Sequence, residues 1–152
     1  MMRLPVVLPV LAITALVVAS CGGDGPTRSL DPAIAQQSSL WADEAQAIAL
    51  LTAQMYERQV MPHDQLRQLI AQSQALAEEM RSEEPTDEVV LKLIDSLDET
   101  ARTLDFVIEY SENLGRDHAG GFYLPPLEDA VEQLSRDAAT LSDAARLSEA
   151  AP

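Results

Sequence analysis

The sequence predicts an all-α protein, folded as an antiparallel up-down bundle of four helices. Aromatic residues make up only 4% of the 152 residues, which is low for a β-sandwich or barrel, whereas helix-favouring leucine, alanine and glutamine are prominent. Apolar residues recur every three or four positions in four segments, and in two of them the period is a regular 3.5 residues, which indicates near-parallel packing. A three-helix bundle with a detached first helix, or a long helical hairpin that dimerises, would fit the same pattern.

The first helix is predicted to run from Asp31-Pro32 to about Val60. Asp31 is a good N-cap residue, and proline is favoured at the first helical position. Ser38-Ser39 form a weak point at which the helix could instead begin, and Pro62 ends this helix or opens the next. The predicted inner positions are Ile34, Trp41, Ala45, Ile48, Leu51 and Met55.

The second and third helices are separated by a polar break at residues 82–86. The second is predicted from about His63 to Arg81, and Thr86 or Asp87 is expected to cap the third. Gly115 suits the left-handed residue that follows the end of a helix. The predicted inner positions are Leu66, Leu69, Ile70, Ser73, Leu76, Ala77 and Met80 in the second helix, and Val90, Ile94, Leu97, Ala101, Leu104, Ile108 and Ser111 in the third.

The fourth helix is predicted to follow Pro125-Pro126 and to fray near Ala150. Trp41, Phe106 and Tyr110 are expected in the core or in the seams between helices, because they lie within helical segments. The predicted inner positions of the fourth helix are Leu127, Val131, Leu134, Ala138, Leu141 and Ala145.

The charge of the chain is strongly negative, with 25 acidic and 10 basic residues and a formal net charge of −15. All the acidic residues follow position 20, and residues 1–20 contain only Arg3, so the remainder carries 9 − 25 = −16. Because phosphate binding needs a basic face, nucleic acid is excluded as a partner. The acidity indicates a solvated helical surface, with ion pairs expected for Asp98 with Arg102, Glu132 with Arg136 and Asp143 with Arg146.

The first twenty residues have the layout of a secretory signal peptide. Arg3 supplies the positive charge, and an apolar stretch from Leu4 to Val18 follows, interrupted by Pro5 and Pro9. This stretch is shorter than the roughly 20 apolar residues that span a membrane. Small residues and then Cys21 complete the segment.

Val18-Ala19-Ser20-Cys21 resembles the lipobox of bacterial lipoproteins, although valine is less typical than leucine at its first position. The resemblance implies cleavage before Cys21, a lipid on its sulfur and often an acyl chain on its new amino group. Several acyl chains give stable membrane anchoring, whereas one holds only marginally. A plain secreted protein with a chance cysteine, or an uncleaved membrane helix, are the alternatives.

The domain organisation that follows is a signal peptide over residues 1–20, a lipidated cysteine and flexible tether over 21–30, and an acidic helical domain over 31–149. The tether is Gly-rich from Gly22 to Gly25. By resemblance, glycine at position 22, where aspartate often retains Gram-negative lipoproteins in the inner membrane, points to the outer membrane facing the periplasm. In another envelope type the expected location is the outer face of the cytoplasmic membrane.

Motifs that carry catalysis or hold cofactors are absent from the sequence. It contains no G-x-S-x-G, H-E-x-x-H or Walker motif, no C-x-x-C-H and no pair of Glu-x-x-His segments. A single cysteine excludes an intrachain disulfide. We therefore expect a protein that is not an enzyme and that has no cofactor other than the covalent lipid on Cys21.

Two histidines are candidate metal ligands. An up-down bundle places His63, at the start of the second helix, and His118, after the third, at the same end, with Asp64 and Asp117 beside them. Two histidines with a carboxylate are a minimal ligand set for a transition metal. The alternative is two unrelated surface histidines at helix ends.

The link from Gly115 to Leu124 is longer than a usual bundle connection. Phe122, Tyr123 and Leu124 in it are candidate partner-binding residues, because long loops carry function and exposed aromatic residues anchor interfaces. The alternative is that Phe122 and Leu124 fold back to plug the open end of the bundle.

These features predict a membrane-anchored lipoprotein of the cell envelope that works through protein–protein contact, as a scaffold, accessory or pilot-like subunit. The alternative is a lipoprotein whose helical bundle binds a small ligand or a metal. A protein partner and the membrane itself are the expected binding partners.

Overall fold

The computed structural model describes residue 30, residues 32–121 and residues 124–150. These residues form four helices, α1 (Pro32–Glu57), α2 (His63–Ser82), α3 (Glu88–Asn113) and α4 (Pro125–Glu149). Two short strands, β1 (Met61–Pro62) and β2 (His118–Ala119), lie in the links and pair antiparallel. Helix α4 packs against α1 and α3, and α2 packs mainly against α3. The predicted all-α antiparallel bundle is confirmed.

The predicted boundaries of α3 are confirmed by its hydrogen bonds. The Asp87 side chain caps the helix by accepting a 2.9 Å hydrogen bond from the backbone N–H of Val89. Gly115 follows the other end with φ +70°. Its N–H donates to the Glu112 carbonyl at 2.8 Å, and the Arg116 N–H donates to the Ser111 carbonyl at 3.0 Å. These two hydrogen bonds form the Schellman motif, in which glycine is the preferred residue at this position.

Helix α1 runs through Ser38-Ser39 without interruption, so the weak point predicted there is not used as a helix start. Ser38 is fully buried and so lies on the inner face. The predicted N-cap residue Asp31 lies outside the described residues. At the other end α1 stops at Glu57, a few residues before the predicted limit.

The core is an apolar stripe along each helix, and most of the predicted inner positions are buried. The stripe on α3 is wider than predicted because that helix packs against both α2 and α4. In the other helices Ile34, Met55, Ile70 and Val131 are half-buried against the core. Buried residues that the periodicity did not select are Ala35, Ser38, Ala42, Ala49, Thr52, Leu93, Ser96, Thr100, Thr103, Val107, Ala130, Ala144 and Ser148.

Three apolar residues predicted to lie in the core or seams are exposed. Leu51 is 49% exposed because Thr52 takes the inner position, where its hydroxyl donates to the Ile48 carbonyl at 2.8 Å. Phe106 is 53% and Tyr110 41% exposed, on a side of α3 turned away from the buried stripe. The expectation was wrong for these residues and correct for Trp41, which is buried.

The surface carries ion pairs both within and between helices. Glu132–Arg136 at 3.3 Å and Asp143–Arg146 at 3.9 Å are as predicted. Asp98 was expected to pair with Arg102, but it binds Arg81 of α2, while Arg102 pairs with Glu99. None of the helices in the described segments is long and apolar enough to cross a membrane.

Candidate interaction surface at the far end of the bundle

The bundle has two ends that differ in construction. The near end contains Leu30, the start of α1, the α2–α3 link and the end of α4. The far end contains the α1–α2 link (residues 58–62) and the α3–α4 link (residues 114–124). Cys21, the predicted lipid attachment site, precedes Leu30 and lies outside the described residues.

At the far end the two links are joined by pairing of β1 with β2. Met61 is opposite Ala119 and Pro62 is opposite His118. Met61 and Ala119 are fully buried, so this pairing also closes the end of the core. The pairing holds together two links that are distant in sequence.

Further hydrogen bonds attach the α3–α4 link to the end of α1. The backbone N–H of Gly121 donates to the Gln59 side-chain oxygen at 3.1 Å, and that of Leu124 donates to the Tyr56 hydroxyl at 3.1 Å. Arg116 donates to the Gly120 carbonyl at 3.0 Å within the link. The link is therefore an ordered part of the far end on both sides of residues 122–123.

Gly120 is placed so that only glycine fits. A Cβ atom at this position would lie 2.0 Å from the carbonyl oxygen of Gln59, a backbone atom that cannot move aside easily. The residue also has φ +154°. Gly120 therefore permits the close approach of the two links.

Among the predicted partner-binding residues, Leu124 is half-buried and packs against the core. Its side chain helps to close the bundle, as the alternative reading of this link supposed. Phe122 and Tyr123 lie outside the described residues, and their role in partner binding stays a prediction.

His63 is buried and binds residues of α3. Its Nε2 lies 2.6 Å from Ser111 Oγ, and Ser111 donates its hydroxyl proton to the Ile108 carbonyl at 2.9 Å. With the Ser111 proton on the Ile108 carbonyl, His63 donates from Nε2, whereas in the other tautomer Ser111 donates to Nε2. His63 Nδ1 lies 3.7 Å from Glu112, which Arg67 also binds at 2.9 Å.

The order Ser111–His63–Glu112 is reminiscent of a catalytic triad, in which the serine hydroxyl attacks a substrate. Ser111, however, is fully buried, so its hydroxyl is not open to a substrate. The contact satisfies buried polar groups between α2 and α3.

His118 is exposed, and its Nδ1 lies 2.9 Å from the Asp117 carboxylate. This hydrogen bond is the main cause that lowers the pKa of Asp117 below its ordinary value of 3.8. The backbone of His118 pairs with Pro62, so the two histidines do lie at the same end. Each ring, however, binds its own protein partners.

The described residues contain no group of three or more histidine, cysteine or acidic side chains that could hold a metal ion. A metal site formed by His63 and His118 would displace the contact of His63 Nε2 with Ser111, whereas His118 could bind through Nε2 and keep its hydrogen bond to Asp117. It stays a prediction that metal titration of the protein would test.

An exposed apolar surface lies on the last turns of α3 and was missed by the sequence analysis. Phe106 and Tyr110 stack with ring centroids 6.1 Å apart and an interplanar angle of 25°. Leu114, four residues further along, is also exposed. Residues spaced by four share one side of a helix, so these three form an aromatic stripe that runs to the far end.

Comparison with known proteins assigns no family to this chain. No protein-family model matches it, and no match was found among curated proteins or solved structures. The proposals that follow therefore rest on the residues and their geometry.

Proposed function

We propose that this protein is a lipid-anchored lipoprotein of the bacterial cell envelope that acts as a non-enzymatic scaffold or accessory subunit. The lipobox-like segment Val18–Cys21 and the Gly-rich tether support the anchor. The lipid on Cys21 holds the near end at the membrane, which is the outer membrane in a Gram-negative host. The far end then faces away from the membrane, towards a protein partner.

The observation that carries the partner-binding role is the aromatic stripe. Phe106 and Tyr110 keep 53% and 41% of their surface exposed although both are large enough to stabilise a core. Aromatic side chains are enriched at protein interfaces, where they supply large contact area at low entropic cost. Their position on the last turns of α3 puts them within reach of a partner that approaches the far end.

A photo-crosslinking residue at position 110 of the full chain, expressed in the native host, tests this function. Leu147 is a matched control because it is similarly exposed, at 49%, but lies near the end of α4 at the near end of the bundle. We expect crosslinking at position 110, and not at position 147, to yield one discrete protein adduct.

The same experiment has a clear contrary outcome. If both positions give the same adducts, or neither gives a protein adduct, the aromatic stripe is not the partner-binding surface. Phe106→Ala with Tyr110→Ala provides a second readout, since loss of exposed rings should remove the partner while leaving the thermal unfolding temperature nearly unchanged.

A further inference from the structure

The seam between α1 and α4 contains an open groove, here called the α1–α4 groove, with a volume of about 410 Å³. Its walls include Ala49 and Ala53 of α1 and Leu127 and Val131 of α4. The single methyl side chains of Ala49 and Ala53 leave space between the two helices. It lies on a different pair of helices from the aromatic stripe.

The groove continues along the seam beyond a pair of hydrogen-bonded side chains. Gln46 Nε2 donates to Ser135 Oγ at 3.0 Å, and both residues also line a second pocket of about 370 Å³ towards the near end. The α1 residues that line the two pockets extend from Ala42 to Glu57, which at 1.5 Å per residue is about 22 Å of helix. A surface of this length suits a helical segment better than a compact small molecule.

Leu50 forms an apolar edge of the groove. It is 54% exposed, although burial of a leucine side chain stabilises a protein by about 2 kcal/mol. A helix docked in the seam would cover Leu50 together with the half-buried Val131. The apolar contact needed for helix-in-groove recognition is therefore present on both sides.

The charged residues at the groove are mostly acidic. Glu57, Glu128 and Glu132 are exposed along its lining. Glu132 pairs with Arg136 at 3.3 Å, whereas Glu57 and Glu128 make no ion pair within the segments that the structure describes. These two carboxylates place unpaired negative charge on both helices at the part of the groove nearest the far end.

We propose that the α1–α4 groove binds a cationic amphipathic helix of a partner protein. Apolar residues at positions i, i+3, i+4 and i+7 of that helix lie over Leu50, Ala53 and Val131, and its flanking Lys or Arg side chains face Glu57 and Glu128. A second copy of this chain is disfavoured as the occupant, because it would bring the same glutamates and a charge of −16 on residues 21–152.

This inference goes beyond the proposed function by naming the chemistry of a partner. It depends neither on the lipid at Cys21 nor on the aromatic stripe, because the groove is formed by other residues. Failure of one proposal therefore leaves the other standing.

The test uses the full chain, in phosphatidylcholine nanodiscs when it is lipidated and in buffer when it is not, with a fluorescent synthetic helix of about 18 residues that has leucines at the spacing above and lysines on both flanks. Empty nanodiscs give the baseline, and fluorescence anisotropy measures binding. A second peptide with glutamate in place of each lysine is the charge control. We expect saturable binding of the lysine peptide and binding of the glutamate peptide at least about tenfold weaker.

Matched protein variants locate the binding site. Leu50→Asp should weaken binding at least about tenfold, whereas Leu51→Asp should change it less than about twofold, because Leu51 is equally exposed but faces the α1–α2 seam. The Glu57→Gln, Glu128→Gln pair should weaken binding about fivefold and reduce its salt dependence. Glu83→Gln with Glu109→Gln removes the same charge elsewhere and should have little effect.

Four results would overturn the proposal. The first is no binding of the lysine peptide above the empty-nanodisc baseline, and the second is an equal effect of Leu50→Asp and Leu51→Asp. The other two come from a photo-crosslinker at position 50. An adduct of twice the protein mass would identify a second copy as the occupant, and an adduct with phospholipid alone would identify a lipid.

Discussion

His63 and Ser111 are buried polar side chains that contact each other in the core. The Ser111 hydroxyl lies 2.6 Å from His63 Nε2 and 2.9 Å from the Ile108 carbonyl. Loss of either partner would leave a desolvated polar atom, which costs more than the bond itself contributes. The contact therefore stabilises the junction of α2 with α3 and the neighbouring α3–α4 link.

Ser111→Ala is expected to lower the free energy of unfolding by about 1–2 kcal/mol, because the buried His63 Nε2 loses its hydrogen-bond partner. Ser148→Ala is the matched control, since Ser148 is also buried but only donates to the Ala144 carbonyl within its own helix. Ser148→Ala removes the hydroxyl without leaving another side chain unpaired, so it should lower the free energy of unfolding by less than about 0.5 kcal/mol. Urea unfolding followed by circular dichroism measures both, and equal effects would contradict this account of His63.

The hydrogen bond between Asp117 and His118 makes a local contribution to stability that depends on pH. The hydrogen bond from His118 lowers the pKa of Asp117 below 3.8, so its contribution to stability is present above pH 3.8 and is lost as the pH falls through the lowered pKa. His118→Ala should raise the pKa of Asp117 towards 3.8. His118→Gln, which still donates, should raise it less. An NMR titration of the Asp117 carboxyl carbon checks this, and an unchanged pKa in His118→Ala would refute it.

For single residues, the sequence predicted their location in the bundle better than their hydrogen-bond partners. His63 and His118 were correctly placed at one end of a bundle by the order of the helices. Asp117, the partner of His118, is its neighbour in the sequence and was named there. Ser111, the partner of His63, could not be chosen from spacing, because a helix offers several polar groups within reach. Phe106 and Tyr110 were misassigned because hydrophobic residues usually lie inside, and nothing local marks an exposed pair.

Several helix ends lie at residues that favour the start or the end of a helix. Prolines open α1 and α4, Asp87 caps α3, and the Gly115 turn ends it. These roles depend on local backbone geometry alone. The helix boundaries were for that reason the most predictable part of the fold.

Asp87→Ala is expected to destabilise the protein by about 1 kcal/mol, because the backbone N–H of Val89 loses its acceptor. Thr86→Ala should have a much smaller effect, since Thr86 is exposed and Asp87 supplies the cap. Thermal unfolding of the two variants distinguishes the residues. A larger effect of Thr86→Ala would show that the cap is wrongly assigned.

Gly120→Ala is expected to destabilise the far end by about 2–4 kcal/mol, because its Cβ would clash with the Gln59 carbonyl. Gly121→Ala is a suitable control: its φ is +72°, but the nearest atom to a Cβ there is Arg116 Nη1 at 3.9 Å. Only backbone strain of about 1 kcal/mol should result. Chemical denaturation measures the difference, and similar losses for both glycines would contradict the tight contact between the two links.

The pairing of β1 with β2 and the role of Gly120 were not predictable from sequence. Two-residue strands have no periodicity, and the pairing joins residues 61–62 to 118–119. Leu51 was predicted to be an inner residue because it is hydrophobic. In the structure Thr52 is buried instead, because it lies four residues after the buried Ile48 and so on the same side of the helix. The local sequence pattern determines that a helix forms, and packing against the other helices determines which of its sides faces the core.

The surface of the whole molecule is acidic, and apolar side chains are exposed to solvent in particular regions. The aromatic stripe lies on α3 towards the far end, and the α1–α4 groove lies along another seam. The net charge of −15 makes copies of the chain repel one another electrostatically. Such a surface favours association with unlike, cationic partners over self-association.

At this scale the sequence predicted the bundle and its direction of packing, because four amphipathic segments with short links have few alternative arrangements. It did not predict either candidate contact surface. Both depend on which faces of the helices remain uncovered after packing, as the exposure of Leu50 and Phe106 shows.

The most direct test of the proposed function concerns Cys21. Intact-mass analysis of the protein purified from membranes of the native host should give residues 21–152 with a covalent diacylglyceryl group, and a further acyl chain where the host adds one. Cys21→Ser should abolish the lipid mass and move the protein out of the membrane fraction. A mature chain that retains residues 1–20, or that carries an unmodified Cys21 while remaining in the membrane, would contradict the lipid-anchored account.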